Sequence, residues 1–249
     1  GRISVFDFGD WGSFKGQKYY GVPWIDRLTS GSGSTRMSLG PLLTLDHYST
    51  PNESRSAVLN WLLRGTNYLD LTVLGNRPFP FTPTDPDPDE LPTSHYFPDS
   101  EALFWRNSWS DPDATAEVLK GGPPHGHHSL PLFAKFPLWR ENSGHVHPDA
   151  GEFLIFSHGK FIAGDTGYTG KKYTQEHNSL LVDGQGQWKD GRYHVYAGLD
   201  YKRINQIRME NVWYNDEVMA ATAVLDSAYS PDLKLKQLRR HFFLVAGKW

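Results

Sequence analysis

The 249-residue sequence contains no cysteine, which excludes a disulfide framework and a thiol nucleophile and leaves the redox compartment open. No apolar run approaches the roughly 20 residues that a bilayer-crossing helix needs, so no membrane partner is expected. Positive charge is not in excess either. The 25 Lys plus Arg stand against 28 Asp plus Glu, a net charge of −3 with no basic tail, which excludes a nucleic-acid footprint. The chain opens at Gly1 without Met or a signal peptide, and ends at Trp249 on the strand-like RHFFLVAGKW with nothing after it to close a sheet. The expectation is a piece of a larger protein, processed or split. From Phe104 onward no helical period of useful length appears, and there is no internal repeat.

Apolar material is plentiful: 38% of residues are hydrophobic and 14% aromatic, enough for one large domain or two small ones. Residues 1–50 are rich in Gly, Ser and aromatics and read as loops around short elements. A helix begins at Thr50, where Pro51 fits the first helical position and Glu53 completes a capping box. It buries Val58, Trp61 and Leu62 and stops at Gly65. Residues 67–75 alternate like a strand. Residues 76–103 are dense in Pro and acidic side chains, which forbids a regular ladder and predicts a solvated linker rather than a calcium loop. Beyond it, FLIFSHG, KFIAGD, NSLLVDG, QIRMENVWYN, EVMAATAVL and LRRHFFLVAG alternate in short runs punctuated by Gly, Asp and Asn. That pattern predicts an antiparallel β-sandwich.

Chemistry concentrates in residues 143–187. His145, His147 and Asp149 occupy alternate positions, so on an extended strand all three would leave one face. Asp165, in AGDTG, and His177, ahead of an expected strand, follow. Two imidazoles and a carboxylate on separate β elements suit a divalent, zinc-like ion. Asp149 or Asn178 could support a ligating histidine through its other nitrogen. His125, His127 and His128, in PPHGHHSLP, could form a second metal site, although a solvated loop is the simpler expectation.

Four segments in order, FWRNSWSDPDATAEVLKGG, HVHPDAGEF, the strand ending in Asp165, and HNSLLVDGQGQ, resemble the β-sheet domain of the heparinase II/III-like polysaccharide lyases. Together they span roughly a third of the chain. The resemblance implies residues 1–75 as the end of a helical (α/α) toroid region, Gly9–Asp10 included, then the linker over 76–103 and a C-terminally incomplete sandwich over 104–249. It also implies that the missing helical half exists upstream or as a separate chain, and a secreted or periplasmic location.

The implied reaction is β-elimination on a uronate polysaccharide, alginate slightly ahead of a glycosaminoglycan. Such lyases remove the proton on carbon 5 and expel the oxygen on carbon 4, which takes a base, an acid and a neutraliser of the sugar carboxylate. By the resemblance His145 faces the substrate, and His147, Asp165 and His177 bind a structural ion, with Zn2+ first. The proton-transferring tyrosine falls on Tyr168, with Tyr173 beside it; a phenol with a pKa near 10 needs a nearby cation or histidine to act. Arg106 and Arg140 are the candidate grips on a carboxylate, a structural salt bridge being the other reading. With a net charge of −3, an acidic polysaccharide would need a local basic cleft. A uronate C5-epimerase and a non-catalytic carbohydrate-binding or scaffold fragment are the alternatives.

Overall fold

Two antiparallel sheets build the fold, and the sequence explains most of their turns. In this computed structural model the described residues are 90–111, 113–124, 126–136, 145–165 and 170–245. The first sheet is a meander of β1 (Ser94–Phe97), β2 (Ala102–Arg106), β3 (Ala116–Lys120), β4 (Glu152–Ser157) and β5 (Lys160–Ala163), hydrogen-bonded in that order. The second comprises β6 (Arg208–Tyr214), β7 (Val218–Val224) and β8 (Arg239–Val245). His158 and Gly159, with φ of +50° and +75°, make the two-residue turn from β4 to β5, whose left-handed backbone matches strand twist. Between β6 and β7, Asn215 Oδ1 accepts from the amides of Glu217 and Val218, both at 2.8 Å.

Register fixes which side chains face inward. Leu103 pairs with Leu119 and Trp105 with Glu117 across β2 and β3, and Leu119 pairs with Phe153 on β4. Leu103, Trp105 and Leu119 meet Met209, Met219, Ala221 and Leu244 of the second sheet in one buried cluster. Phe153 meets Phe242 edge to face across the sheets, their centroids 6.2 Å apart. Each such buried side chain contributes roughly 1.5–3 kcal/mol, which is what holds the sheets together. The Trp105 indole adds a directional tie, donating to the Asp216 carbonyl at 3.0 Å. A second core, under the long loops, gathers Val146, Ala150, Val195, Tyr196, Ile204, Ile207 and Tyr229.

The expected mainly-β, antiparallel architecture and its strands over residues 152–163 and 208–245 are present, with three corrections. The predicted linker over 76–103 overlaps the sheet, because SHYF forms β1 and Ala102 and Leu103 already belong to β2. No proline falls between Pro92 and Pro98, so the SHYF amides are available to pair. NSLLVDG is not a strand: Val182 and Gln185 bond each other across a tight turn at Asp183 and Gly184, with φ of +50° and +72°. Residues 145–149 are loop, with a bend at Pro148, rather than strand. The helix from Thr50, the strand over 67–75, Gly9–Asp10 and the expected toroid remnant lie outside the described residues.

Helices are short, α1 (Leu132–Lys135) and α2 (Tyr201–Ile204), the latter capped by Asp200 accepting from the Lys202 amide at 2.9 Å. No helix among the described residues is long and apolar enough to cross a membrane.

Candidate metal centre

The polar corner of the first sheet lies where β4 begins. Gly151 stands immediately before it with φ +77°, and a Cβ there would come within 2.5 Å of Leu225 Cδ1, so backbone and space both require glycine. The turn delivers Glu152, completely buried, as the first residue of β4. Asp165 follows the end of β5, and His177 follows a 3-10 turn over Thr174–Glu176. His147 arrives on the loop ahead of β4. Residues spread from 147 to 177 thereby reach one spot.

Its distances are short. His177 Nδ1 is 3.2 Å from Glu152 Oε1 and 3.4 Å from Asp165 Oδ2. On the other side of the same ring, His177 Nε2 is 3.2 Å from His147 Nδ1, the two rings meeting at 82°. One donor atom each from Glu152, Asp165 and His177 lie within 4.8 Å of one another, all three residues buried. Asp149, 5% exposed, pairs instead with Lys120 Nζ at 2.5 Å.

Electrostatics here are governed by burial and by carboxylate density. Burial pushes the Glu152 carboxyl up to about 7, against the pull of His177 and with Asp149 and Asp165 adding to the rise. Burial would lower His177, but the hydrogen bonds to Asp165 and Glu152 outweigh it and raise the imidazole to about 10. Burial would likewise raise Asp149, yet Lys120, with His177 and His147, holds it below the ordinary carboxylate range. His177 therefore carries positive charge for two carboxylates at once, and Glu152 Oε2 is buried with no hydrogen-bond partner. A nitrogen and carboxylate oxygens around an unsatisfied buried oxygen are the donor chemistry of a zinc-like ion, so the residues fit such a group. Glu152, Asp165 and His177 would hold it, with His147 at the opposite nitrogen of His177.

The surroundings fix these groups in place. The Asn178 side-chain amide donates to the carbonyls of Phe153 at 3.0 Å and Gly164 at 3.1 Å, clamping β4 to the residue before Asp165. Arg240, from β8, donates to the Gly151 carbonyl at 2.9 Å and the Asn178 carbonyl at 2.6 Å, tying the second sheet to this corner. Gln187 donates to the Ala150 carbonyl at 2.8 Å and accepts from the Tyr196 hydroxyl. These contacts do for the ligand-bearing backbone what a supporting shell does for ligand orientation.

The remaining sequence candidates divide. His145 is exposed while His147, two residues on, is 2% exposed, so the pair does not share one face as alternation on a strand would require. Arg106 is not brought to the corner. It pairs with Ala116, at the opposite end of β3 from the Lys120–Glu152 pair, four residues or about 13 Å away along the strand. There its guanidinium donates to the Ser108 carbonyl at 2.5 Å and lies 4.0 Å from the Trp109 ring centroid. Burial lowers it to about 10. Arg140 and Tyr168 lie outside the described residues. His127 is committed elsewhere, between Glu101 and Asn205, and His128 is exposed.

Glu152 was not among the sequence candidates, although a carboxylate opening the apolar strand EFLIFS directly after a glycine is the signal that could have found it. Lys120, Gln187 and Arg240 left no such mark.

The chain is similar to several solved structures. One is a heparinase III gene product, at 19% identity and TM-score 0.41, covering 78% of this chain and 25% of that one. Another is heparan sulfate lyase HepC from Pedobacter heparinus, at 17% identity and TM-score 0.42 with the same coverage, 78% and 25%. A further heparinase III structure matches at 17% identity and TM-score 0.40, covering 66% and 21%. The chain thus spans about a quarter of the length of the first two, 25% of each. No protein-family model and no curated protein matches it.

Proposed function

We propose that the chain is the β-sheet part of a lyase that cleaves an acidic, uronate-containing polysaccharide by β-elimination, and that Glu152, Asp165 and His177 share one divalent ion, Zn2+ first, with His147 holding the opposite nitrogen of His177. The observation supporting this most is that His147, Asp165 and His177, which the lyase resemblance singles out in separate segments, meet at one buried spot beside an exposed His145. Heparan sulfate, the substrate in the name of the similar HepC, and alginate, which the sequence resemblance puts slightly first, are the two polymers to test.

In the reaction the bond from carbon 5 to hydrogen breaks and its electron pair forms the double bond to carbon 4. The bond from carbon 4 to the glycosidic oxygen then breaks, and that oxygen takes a proton. The barrier is the negative charge that builds beside the carboxylate. Tyr168 is the proposed base, and Arg140 the proposed grip on the carboxylate. His145, exposed two residues from the buried corner, orients the sugar or protonates the leaving oxygen. A bound divalent ion would neutralise Glu152 and Asp165 and lock the loop of His147, and with it His145, against β4. Arg106, about 13 Å along β3 from the corner by strand rise, is proposed only as a contact to a distant sugar unit.

The test is to incubate the natural polypeptide carrying this chain with each polymer and follow the ultraviolet absorbance of the unsaturated product. His145→Ala should abolish turnover while metal content and melting temperature stay unchanged; near-normal activity in that variant removes His145 from the mechanism. Solvent deuterium entering the sugar without absorbance would instead identify an epimerase, and binding without either would identify a carbohydrate-binding fragment.

A further inference from the structure

A second cluster, outside the metal corner, has the makings of a ligand site. Lys172 and Arg192 form an isolated antiparallel bridge, reinforced by the Gly191 amide donating to the Lys172 carbonyl at 2.7 Å. This joins the loop that leads to His177 with the turn over residues 189–194, which reads KDGRYH. Gly191 has φ +73°, and a Cβ there would lie 2.5 Å from the Tyr173 ring, so the turn is seated closely on its partner.

What the turn exposes is cationic and aromatic. Lys189, Arg192 and His194 are exposed, and Tyr193, between the last two, is 48% exposed. The Tyr193 ring is held from beneath by Lys172, fully buried, whose Nζ lies 4.7 Å from the ring centroid. The His194 ring meets its edge at 86°, with centroids 4.9 Å apart. Within the turn the acid is Asp190, and its carboxylate faces inward, accepting from the Thr174 amide at 2.5 Å and the Thr174 hydroxyl at 3.1 Å. Glu176 is likewise occupied by the Tyr173 amide at 3.3 Å. The result is a local positive ridge, around a pre-positioned aromatic ring, on a chain whose net charge is −3.

A fixed exposed ring binds at little entropic cost, and cations beside it select anions. A sugar ring offers an apolar face to an aromatic one, while a uronate or sulfate offers charge to Arg192 and Lys189. We propose that the ridge formed by residues 172 and 189–194 is a subsite for an anionic sugar unit of the polysaccharide, with Tyr193 as the stacking platform and Arg192 and Lys189 as the charge grips. This rests on the reading of the substrate as an acidic polysaccharide and adds where a second unit of it is held. Because the ridge shares its loop with His177, a chain engaged there is tethered beside the metal corner.

Tyr193→Ala and Arg192→Gln test this, since both alter exposed groups apart from the corner. Affinity for heparan sulfate and alginate oligosaccharides is measured by calorimetry at two salt concentrations, beside the neutral polymer dextran, with metal content and circular dichroism as controls. Each variant should lose about tenfold in affinity, and Arg192→Gln should also flatten the salt dependence. In turnover the loss should appear in KM with kcat retained. Unchanged affinity in both variants, with the wild type still cleaving, overturns the subsite and leaves the lyase reading standing. Weakened binding without any unsaturated product from the wild type keeps the subsite and overturns the lyase. Absence of binding by the wild type, or equal binding to dextran, overturns the subsite.

Discussion

Among the described residues two histidine–glutamate pairs, one half-buried and one fully buried, are built to opposite ends. At the first, Glu101 accepts from the Tyr96 hydroxyl and the Met209 amide, the latter at 3.0 Å, and lies 2.8 Å from His127 Nε2. His127 Nδ1 is 2.7 Å from Asn205 Oδ1. Every arm has a partner, and the network stitches the β1–β2 turn to the second sheet. At the second pair, His177 is shared between Glu152 and Asp165 at 3.2 and 3.4 Å, and Glu152 Oε2 has no partner. A satisfied network rigidifies a fold, whereas buried carboxylates in excess of their cations call for a further cation. The comparison teaches that residue type alone does not separate a structural pair from the proposed metal site; the balance of partners does.

The largest effect comes from removing the imidazoles in turn. His177→Ala should destabilise the protein by about 3–5 kcal/mol in denaturant unfolding, since it strands two buried carboxylates, and metal content should fall with it. His127→Ala should cost about 1–3 kcal/mol through the Glu101 Oε1 left without its partner and leave metal content untouched. Equal metal loss in both would erase the distinction between the pairs.

Glu152→Gln sharpens it. Loss of that carboxylate should weaken metal affinity by about 10–100-fold, a range typical of groups that support or complete a site. The same change should stabilise the metal-free protein, because one of the two buried carboxylates that share the His177 cation is gone, whereas a purely structural Glu152 would give destabilisation in both states.

The smallest effect lies in the core itself. Glu117 shares a face with Trp105 and Leu119, is 6% exposed, and has an Oε1 with no partner; burial raises it to about 7. A carboxyl whose folded value is raised stabilises fully below its unfolded value, near 4.5, and loses that contribution as pH climbs through about 7. Glu117→Gln should therefore flatten the fall in melting temperature over that window and raise it above neutrality. An unchanged pH profile would show that Glu117 reaches water.

Much of this was legible in the sequence, and the failures are specific. Period-two alternation marked β4 to β8 because half-buried strands demand it. It misled at residues 145–149, where the loop is held by Val146 and Ala150 packing into the second core, and at NSLLVDG, where a Asp-Gly turn folds the chain back on itself. It missed β1, whose SHYF is hidden among prolines. His147, Asp165 and His177 were readable as a set only through motif order. Lys120 and Arg240 reach the corner by cross-strand register and by contact between sheets, neither of which leaves a local pattern.

The central claim is that the His177 corner holds one divalent ion and the His127 cluster holds none. Elemental analysis of the metal-reconstituted protein, with X-ray absorption at the metal edge, tests it directly. The account predicts one ion per chain with mixed nitrogen and oxygen ligands at about 2.0–2.2 Å, lost in His177→Ala and retained in His127→Ala. A chain that takes up no ion, or one whose ion survives His177→Ala, would contradict it.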